Sequence, residues 1–324
     1  MLSLTTSTIL KELCKNGRRK FVEISDSLNI SKKTVWNHHK LLKQKGIIVG
    51  STIQLNYRKV GFDQIINIYA NVKHEKLDQY LKQLLEMPNI YSVFPRCPKY
   101  NIGIIALLKN ITELDNLRYR LRQEIEVQDM IMFNWLDVKN FVENLNFNPN
   151  LEKNSNEHVS NNNLKHNRES QKPVLDKKDK SIIEKLGVNS RISFRSLSKE
   201  LEISQDTVTK RYNKLVEKQI IKSVIQINPK KLGYNGFPHF HLSFSSKVKI
   251  NQVIDYLIDI PDIIHIIKTS GEYDLVVYAF VKTIEHFLEI KEKIEKIDEL
   301  TNMQTNLYSV LDIWPTPKQH ISTF

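Results

Sequence analysis

Two stretches far apart in this chain carry one pattern. Ser31 to Ile48 reads SKKTVWNHHKLLKQKGII, and Ser204 to Ile221 reads SQDTVTKRYNKLVEKQII. Ser31/Ser204, Thr34/Thr207, Val35/Val208, Leu42/Leu215, Lys45/Lys218, Ile47/Ile220 and Ile48/Ile221 are shared at a constant spacing of 173 residues. Each stretch is predicted to be a helix opened by its serine, whose hydroxyl can accept from the free N–H groups of the first turn. Val35 and Leu42 are spaced to face a core. Lys33, Trp36, Asn37 and Lys40 fall at i, i+3, i+4 and i+7 on the opposite side. Two shorter apolar periodicities precede each copy: Ile9, Leu10, Leu13 and Cys14 then Phe21, Ile24 and Leu28; and Ile182, Ile183 and Leu186 then Phe194, Leu197 and Leu201. Three helices followed by a short β segment (47–56 in the first copy) are the pattern of a winged helix-turn-helix.

The repetition continues. Ile66, Ile68, Ala70 and Val72 alternate as a strand with one buried face. Leu77, Tyr80, Leu81, Leu84 and Leu85 form a helical stripe, and 90–94 and 102–108 are apolar strands. Thr112 is predicted to cap a helix carrying Leu114, Leu117, Leu121 and Ile125, and 130–138 is a last strand. The order βαββαβ describes a ferredoxin-like module. In the second half IQINPKKLGY (225–234) matches IQLNYRKVGF (53–62), and Pro261, Ile263 and Ile266 match Pro88, Ile90 and Val93. Strands are predicted around Phe240–Phe244, over 274–281 and over 303–313, with helices on Val253/Leu257 and Ile290/Ile294. The expected fold class is α+β: two winged helix-turn-helix domains (1–60 and 175–233) alternate with two ferredoxin-like βαββαβ domains (61–147 and 234–318). Residues 148–174 are rich in Asn and poor in large apolar side chains, so they are expected to form a flexible linker. As a coil it spans on the order of 25–30 Å, against roughly 34–36 Å between half-site centres on DNA.

Forty-eight Lys+Arg against 36 Asp+Glu give a net charge of +12, which favours a polyanionic partner. Cys14 and Cys97 form no C-x-x-C pair, which points to a reducing cytoplasm, and Cys14 is read as core. The first residues lack the layout of a signal peptide, and no apolar run approaches the roughly 18 residues of a membrane span. A Gly-rich phosphate loop, H-E-x-x-H and a nucleophile elbow are all missing, so neither an enzyme nor a cofactor is expected. His239 and His241 share one face of a strand, but no third metal ligand is evident and they are read as interface or core histidines.

The heads share R-x-x-F-x-x-[LI]-x-x-x-L-x-I-S-x-x-T-V, then Leu-x-x-[KQ]-x-I-I and a Lys-[LV]-Gly elbow; the second half adds Gly271-Glu272-Tyr273-Asp274. In these motifs and their order the chain resembles the Lrp/AsnC (feast/famine) transcription regulators, with two full copies fused. The resemblance implies double-stranded DNA as partner, a covalent equivalent of the family's dimer, self-association through the βαββαβ domains and an amino acid or related small-molecule effector.

A recognition helix offers side chains to base edges while nearby cations fix register on phosphates. The first head's candidates are Arg18, Lys32, Lys33, Thr34, Trp36, Asn37, His38 and Lys40. The second head's are Arg191, Gln205, Asp206, Thr207, Thr209, Lys210, Arg211 and Lys214, with Asn213 on the same face. Asn37 suits adenine, and Lys33 or Lys40 suits guanine or phosphate. Arg18 and Arg191 are expected on phosphates, and Trp36 either on a thymine methyl or packed under the wing. The two faces differ, so the expected site is asymmetric.

By resemblance, Gly271, Glu272, Tyr273 and Asp274 close an amino-acid pocket, with Asp274 toward an ammonium and Gly271 beside a carboxylate. The first half has Pro98-Lys99-Tyr100-Asn101 there and is expected to be structural. Two other readings share these features: a siroheme-decarboxylase-like enzyme on the same architecture, and a nonspecific architectural DNA-binding protein.

Overall fold

The computed structural model describes residues 2–95, 99–148 and 175–316. Cys97, Pro98 and nearly all of the expected linker lie outside the described residues. In the first head, α1 (Leu4–Lys15), α2 (Phe21–Leu28) and α3 (Lys32–Gln44) form as expected. Ser31 caps α3 by accepting the Thr34 N–H at 3.0 Å, and Val35 and Leu42 are buried. The strand that follows, β1 (Ile48–Leu55), leads to β2 (Gln64–Asn71), α4 (Leu77–Glu86), β3 (Ile90–Pro95), β4 (Ile102–Leu108), α5 (Glu113–Glu124) and β5 (Asp129–Asn140). The second half repeats this as α6 (Lys177–Val188), α7 (Phe194–Glu200), α8 (Gln205–Glu217), β6 (Ile221–Ile227), β7 (Gly236–Phe244), α9 (Ile250–Asp259), β8 (Ile263–Ser270), β9 (Leu275–Ala279), α10 (Ile284–Glu295) and β10 (Leu300–Ser309).

Three local expectations change. Thr112 precedes α5 without a side-chain cap; its hydroxyl turns to Asn110 instead. Leu85 is 55% exposed, outside the buried stripe. The last strand runs 300–309, not 303–313, because the chain then leaves the sheet and Trp314 bridges to Ile227 with N···O distances of 2.7 and 2.8 Å.

The structure also supplies the partner of the wing strand, which the sequence reading left open. β1 does not fold back within its own head. It pairs antiparallel with β6 of the other half, from Gly50↔Gln226 to Leu55↔Ile221. A single strand cannot satisfy its own N–H and C=O groups, and each head supplies only one. The two heads therefore share one two-stranded sheet.

The remaining strands form one antiparallel sheet, in the order β10-β7-β9-β8-β5-β2-β4-β3. The halves join where β5 pairs β8, from Asn134↔Ser270 to Asn140↔His265. Ile66 and Ile68 pack outward on Tyr80, Leu84, Leu117 and Leu121 of α4 and α5. Phe240 and Leu242 pack on α9 and α10 through Val253, Leu257, Ile290 and Ile294. On the other face the Tyr69 hydroxyl lies 3.0 Å from His241 Nε2. β2 and β7 are four places apart, about 19 Å in a flat sheet, so the sheet folds back on itself. The enclosed layer contains Tyr69, Phe133, Trp135, Ile267, Tyr273 and Val276. Among the described residues no helix is long and apolar enough to cross a membrane.

Gly17 ends α1 where the head meets β6. A Cβ there would lie 2.5–2.7 Å from the Val224 backbone, and the Gly17 N–H donates to Ser223 O at 2.8 Å. Gly17→Ala is expected to lower stability by about 1–3 kcal/mol, as overpacking against backbone does. Gly187, in helix α6 with nothing within 4 Å of its Cβ position, should gain about 0.5–1 kcal/mol on changing to Ala. Thermal unfolding of the two variants beside the parent checks both signs.

Candidate nucleic-acid interface

Lys32, Lys33, Trp36, Asn37 and Lys40 of α3 are exposed, and the face holds no acid. Trp36 is 50% exposed and the Lys40 ammonium stands 5.2 Å from its ring centroid. It is not packed under a wing. Thr34 and His38 do structural work: Thr34 meets the Ser31 hydroxyl at 2.8 Å, and His38 Nδ1 lies 2.8 Å from Thr6 Oγ1 of α1.

On α8, Gln205, Asp206, Lys210, Asn213 and Lys214 are exposed. Thr207 meets the Ser204 hydroxyl at 2.8 Å, and Thr209 donates back to Gln205 O at 2.9 Å. Arg211 is held by Asp176 and Asp179 at the start of α6, at 2.7 and 2.8 Å. Helix α3 carries four lysines and no acid, whereas α8 carries three basic and two acidic residues. The two faces thus differ in charge as well as in side-chain type.

Arg18 and Arg191 stand between the heads, not on an open phosphate-facing surface. Arg18 Nη1 donates to the carbonyls of Ser190 and Ile192 in the other head. Its guanidinium lies 4.4 Å from the Phe194 ring and 5.1 Å from that of Tyr212. Arg191 donates to Gly17 O and lies 5.3 Å from the Phe21 ring. Burial lowers both guanidinium pKa values, and each charge faces carbonyls and π-faces that suit it. The sequence places Phe21 and Phe194 in the apolar pattern of R-x-x-F, not as partners of the facing arginine, and Tyr212, at the repeat position of His39, was not singled out.

The Gly271–Asp274 turn packs across the two halves. Gly271 adopts φ +136°, and a Cβ there would lie 3.0 Å from Phe133 Cβ and 3.1 Å from Met132 O of β5. Tyr273 is buried, with its hydroxyl donating to Gln304 and its pKa pushed up by burial. Asp274 Oδ2 accepts the Phe244 N–H at 2.8 Å, so this carboxylate ties the end of β7; Glu272 is exposed. In the first half Asn101 closes the equivalent turn on Val72, with bonds of 3.0 and 2.7 Å. His239 and His241 are buried between the layers, and no group of three metal-ligating side chains occurs among the described residues. The same interior holds His265, which accompanies them with Tyr69, Tyr273 and Tyr278; His239 and His241 lie buried as core histidines would, whereas His265 was not singled out from the sequence.

Comparison with known proteins converges on one family. Residues 2–49 match a winged helix-turn-helix DNA-binding family, 175–216 the AsnC-type helix-turn-helix domain, and 237–309 the Lrp/AsnC ligand binding domain. The HTH-type transcriptional regulator Ptr1 of Methanocaldococcus jannaschii is 37% identical over 131 residues, covering 40% of this chain and 86% of that protein. The chain belongs to the Lrp/AsnC family of DNA-binding transcription regulators. LrpA of Pyrococcus horikoshii, another such regulator, is 32% identical over 132 residues, covering 40% of this chain and 93% of its own. Each of these two relatives thus accounts for less than half of the duplicated chain. Over the whole length the architecture is similar to that of the siroheme decarboxylase NirDL, with a TM-score of 0.64, 14% identity, and coverage of 97% and 95%. At that identity the likeness is one of fold.

Two histidines, His39 beside the seam between the Lrp/AsnC heads and His265 in the interior of the sheet, are expected to make stability depend on pH. His39 is lowered to about 4 by burial, with the charges of Arg191 and Lys43 adding to the effect. His265 is lowered to about 3 by burial. A base whose pKa falls on folding takes its proton first in the unfolded chain, so stability drops as pH falls below about 6.5. The melting temperature is expected to decline steadily from pH 7 toward pH 4. His39→Tyr, which copies Tyr212 of the other head, should flatten part of that decline, and a pH series of thermal melts reads it.

Proposed function

We propose that this Lrp/AsnC protein reads an asymmetric site on double-stranded DNA, with α3 on one half and α8 on the other. The observation that carries the reading is the shared seam. β1 pairs β6 and the two arginines cross between heads, which supports two recognition helices held in one fixed relation. Their exposed faces are unlike, so the two halves of the site need not match. Lys33, Asn37 and Lys40 are the base- and phosphate-reading groups of the first head; Gln205, Lys210, Asn213 and Lys214 serve the second. The all-basic α3 contributes more of the counterion release. In this reading the chain acts as a regulator and not as an enzyme. A small-molecule effector, such as an amino acid, bound by the second βαββαβ unit and self-association through these units belong to the same reading, supported by the match of residues 237–309 to the ligand binding domain.

Selection of bound duplexes from random sequence, at one near-physiological salt concentration, tests it. Two unlike half-sites in adjacent major grooves are expected. Asn37→Ala and Lys210→Ala should relax opposite halves, each by about 1–3 kcal/mol where a base contact is lost. Perfect inverted repeats among the selected sites would sink the asymmetric reading, and binding without enrichment would favour an architectural role.

A second reading rests on the buried His239, His241 and His265 with their tyrosines, on an architecture similar to that of NirDL. It requires a tetrapyrrole in the interior. Purified protein showing no absorbance band near 400 nm after incubation with an iron tetrapyrrole would set this reading aside.

A further inference from the structure

The segment that leaves β5 (residues 141–148) crosses to the second half and ends beneath the first head. Asn144 Nδ2 donates to the carbonyls of Ile258, Ile260 and Ile263, at 3.2, 2.9 and 2.8 Å. Leu145 and Phe147 enter the core of α1, Ser7 Oγ donates to Phe147 O at 3.5 Å, and Asn148 donates to Leu2 O at 2.9 Å. Between these anchors, Asn146 lines a cleft of about 380 Å³ with Asp262, Lys282, His286, Glu289 and Lys293.

Of the two acids at this cleft, Asp262 is engaged from within, whereas Glu289 stands exposed on α10, one turn before Lys293. Asp262, 2% exposed, takes the Tyr234 hydroxyl at 2.5 Å and the Asn146 N–H at 2.6 Å on Oδ1. Its Oδ2 faces His286 Nε2 at 3.5 Å. His286 Nδ1 accepts the Lys282 N–H at 3.3 Å, which leaves the ring proton on Nε2, toward the carboxylate. Lys282 Nζ gives one bond, of 3.1 Å, to Asn146 O. An ammonium has three donors, so Lys282 and Lys293 bring spare donors to the cleft.

The first half lacks this arrangement. At the 173-residue spacing Asp262, His286 and Lys293 correspond to Asn89, Glu113 and Arg120, and Tyr234 matches Phe62 of the aligned elbow. Arg120 is held by Glu124 through bonds of 3.2 and 3.1 Å, where the second half has Ile297. We propose that the cleft between the 141–148 segment and α10 binds a small anion bearing a carboxylate or phosphate group, and that its occupant acts on the first head. An anion drawing Lys282 toward Lys293 competes with the Asn146 carbonyl and loosens the segment that carries Phe147. Among the described residues the second head has no such tie: its core, around Leu186, Leu197, Val208 and Leu215, draws on no strand or helix of either βαββαβ unit. The proposal rests on the cleft and holds whether or not the heads read an asymmetric site.

Calorimetric titration of the full chain with inorganic phosphate and, separately, with succinate tests it. One saturable site per chain is expected for at least one of the two, and the one that binds identifies the group. Affinity should fall at least tenfold in Lys293→Gln and stay unchanged in Arg120→Gln. Hydrogen exchange at saturation should rise over 2–7 and 145–148 and stay level over 193–218. Absence of saturable heat with both anions, or equal affinity in Lys293→Gln, overturns the site. Equal response of both heads, or response of neither, overturns the coupling.

Discussion

The pairing of β1 with β6 is the interaction on which the rest of the structure depends. Each head ends in one strand, and a lone strand leaves a row of polar groups unmet. The duplication supplies the missing partner from the same chain, so the two heads close on each other. Arg18 and Arg191 then cross the seam and donate to carbonyls at the end of the facing head's first helix. Gly17 lets the Val224 backbone approach as closely as it does. A charge on the outer rim of such a seam would be worth little; these two are half-buried against aromatic rings and carbonyls, where guanidinium contacts are stronger. The geometry of the heads is thereby set by the folded core, not by the tether between the halves.

The duplication is not symmetric in its packing. The first head shares a core with Phe237, Phe280, Val310 and Trp314 of the second half and with the 141–148 segment. The second head packs mainly on itself and on β1, through Ile53 and Leu55. A head with fewer ties to the sheet opens locally at lower free energy. The first head is therefore the one on which an event in the second βαββαβ unit can act, because Asp262, Asn146 and Phe147 join the two through short bonds and contiguous packing.

Divergence between the halves follows the same line. Where Asn101 closes a turn with its amide, Asp274 does so with a carboxylate. Both turns are satisfied by backbone at or just past a strand end of their own half, and in the second half Gly271 brings the turn onto Phe133 of the first. In the folded interior, Tyr69 of the first half meets His241 of the second, and their hydrogen bond is buried where an unmet polar atom would be costly.

What the sequence by itself determined is local and periodic. Ser31 and Ser204 mark the starts of the recognition helices, Val35, Leu42, Val208 and Leu215 mark their buried stripes, and alternation in 66–72 marks a strand, because each signal lies within a few residues of what it specifies. The repeat spacing also made two like halves legible. Only the tertiary structure decided which strand pairs with which, since β1 reads the same whether its partner is a hairpin arm or the other half. It decided too that Arg18, Arg191 and Arg211 are engaged within the protein while Lys33, Asn37 and Lys40 stay open. An arginine in a helix-turn-helix carries no mark of its partner. Its role depends on carbonyls, rings or acids that for Arg18 and Arg191 lie more than 170 residues away, and only folding brings them within reach.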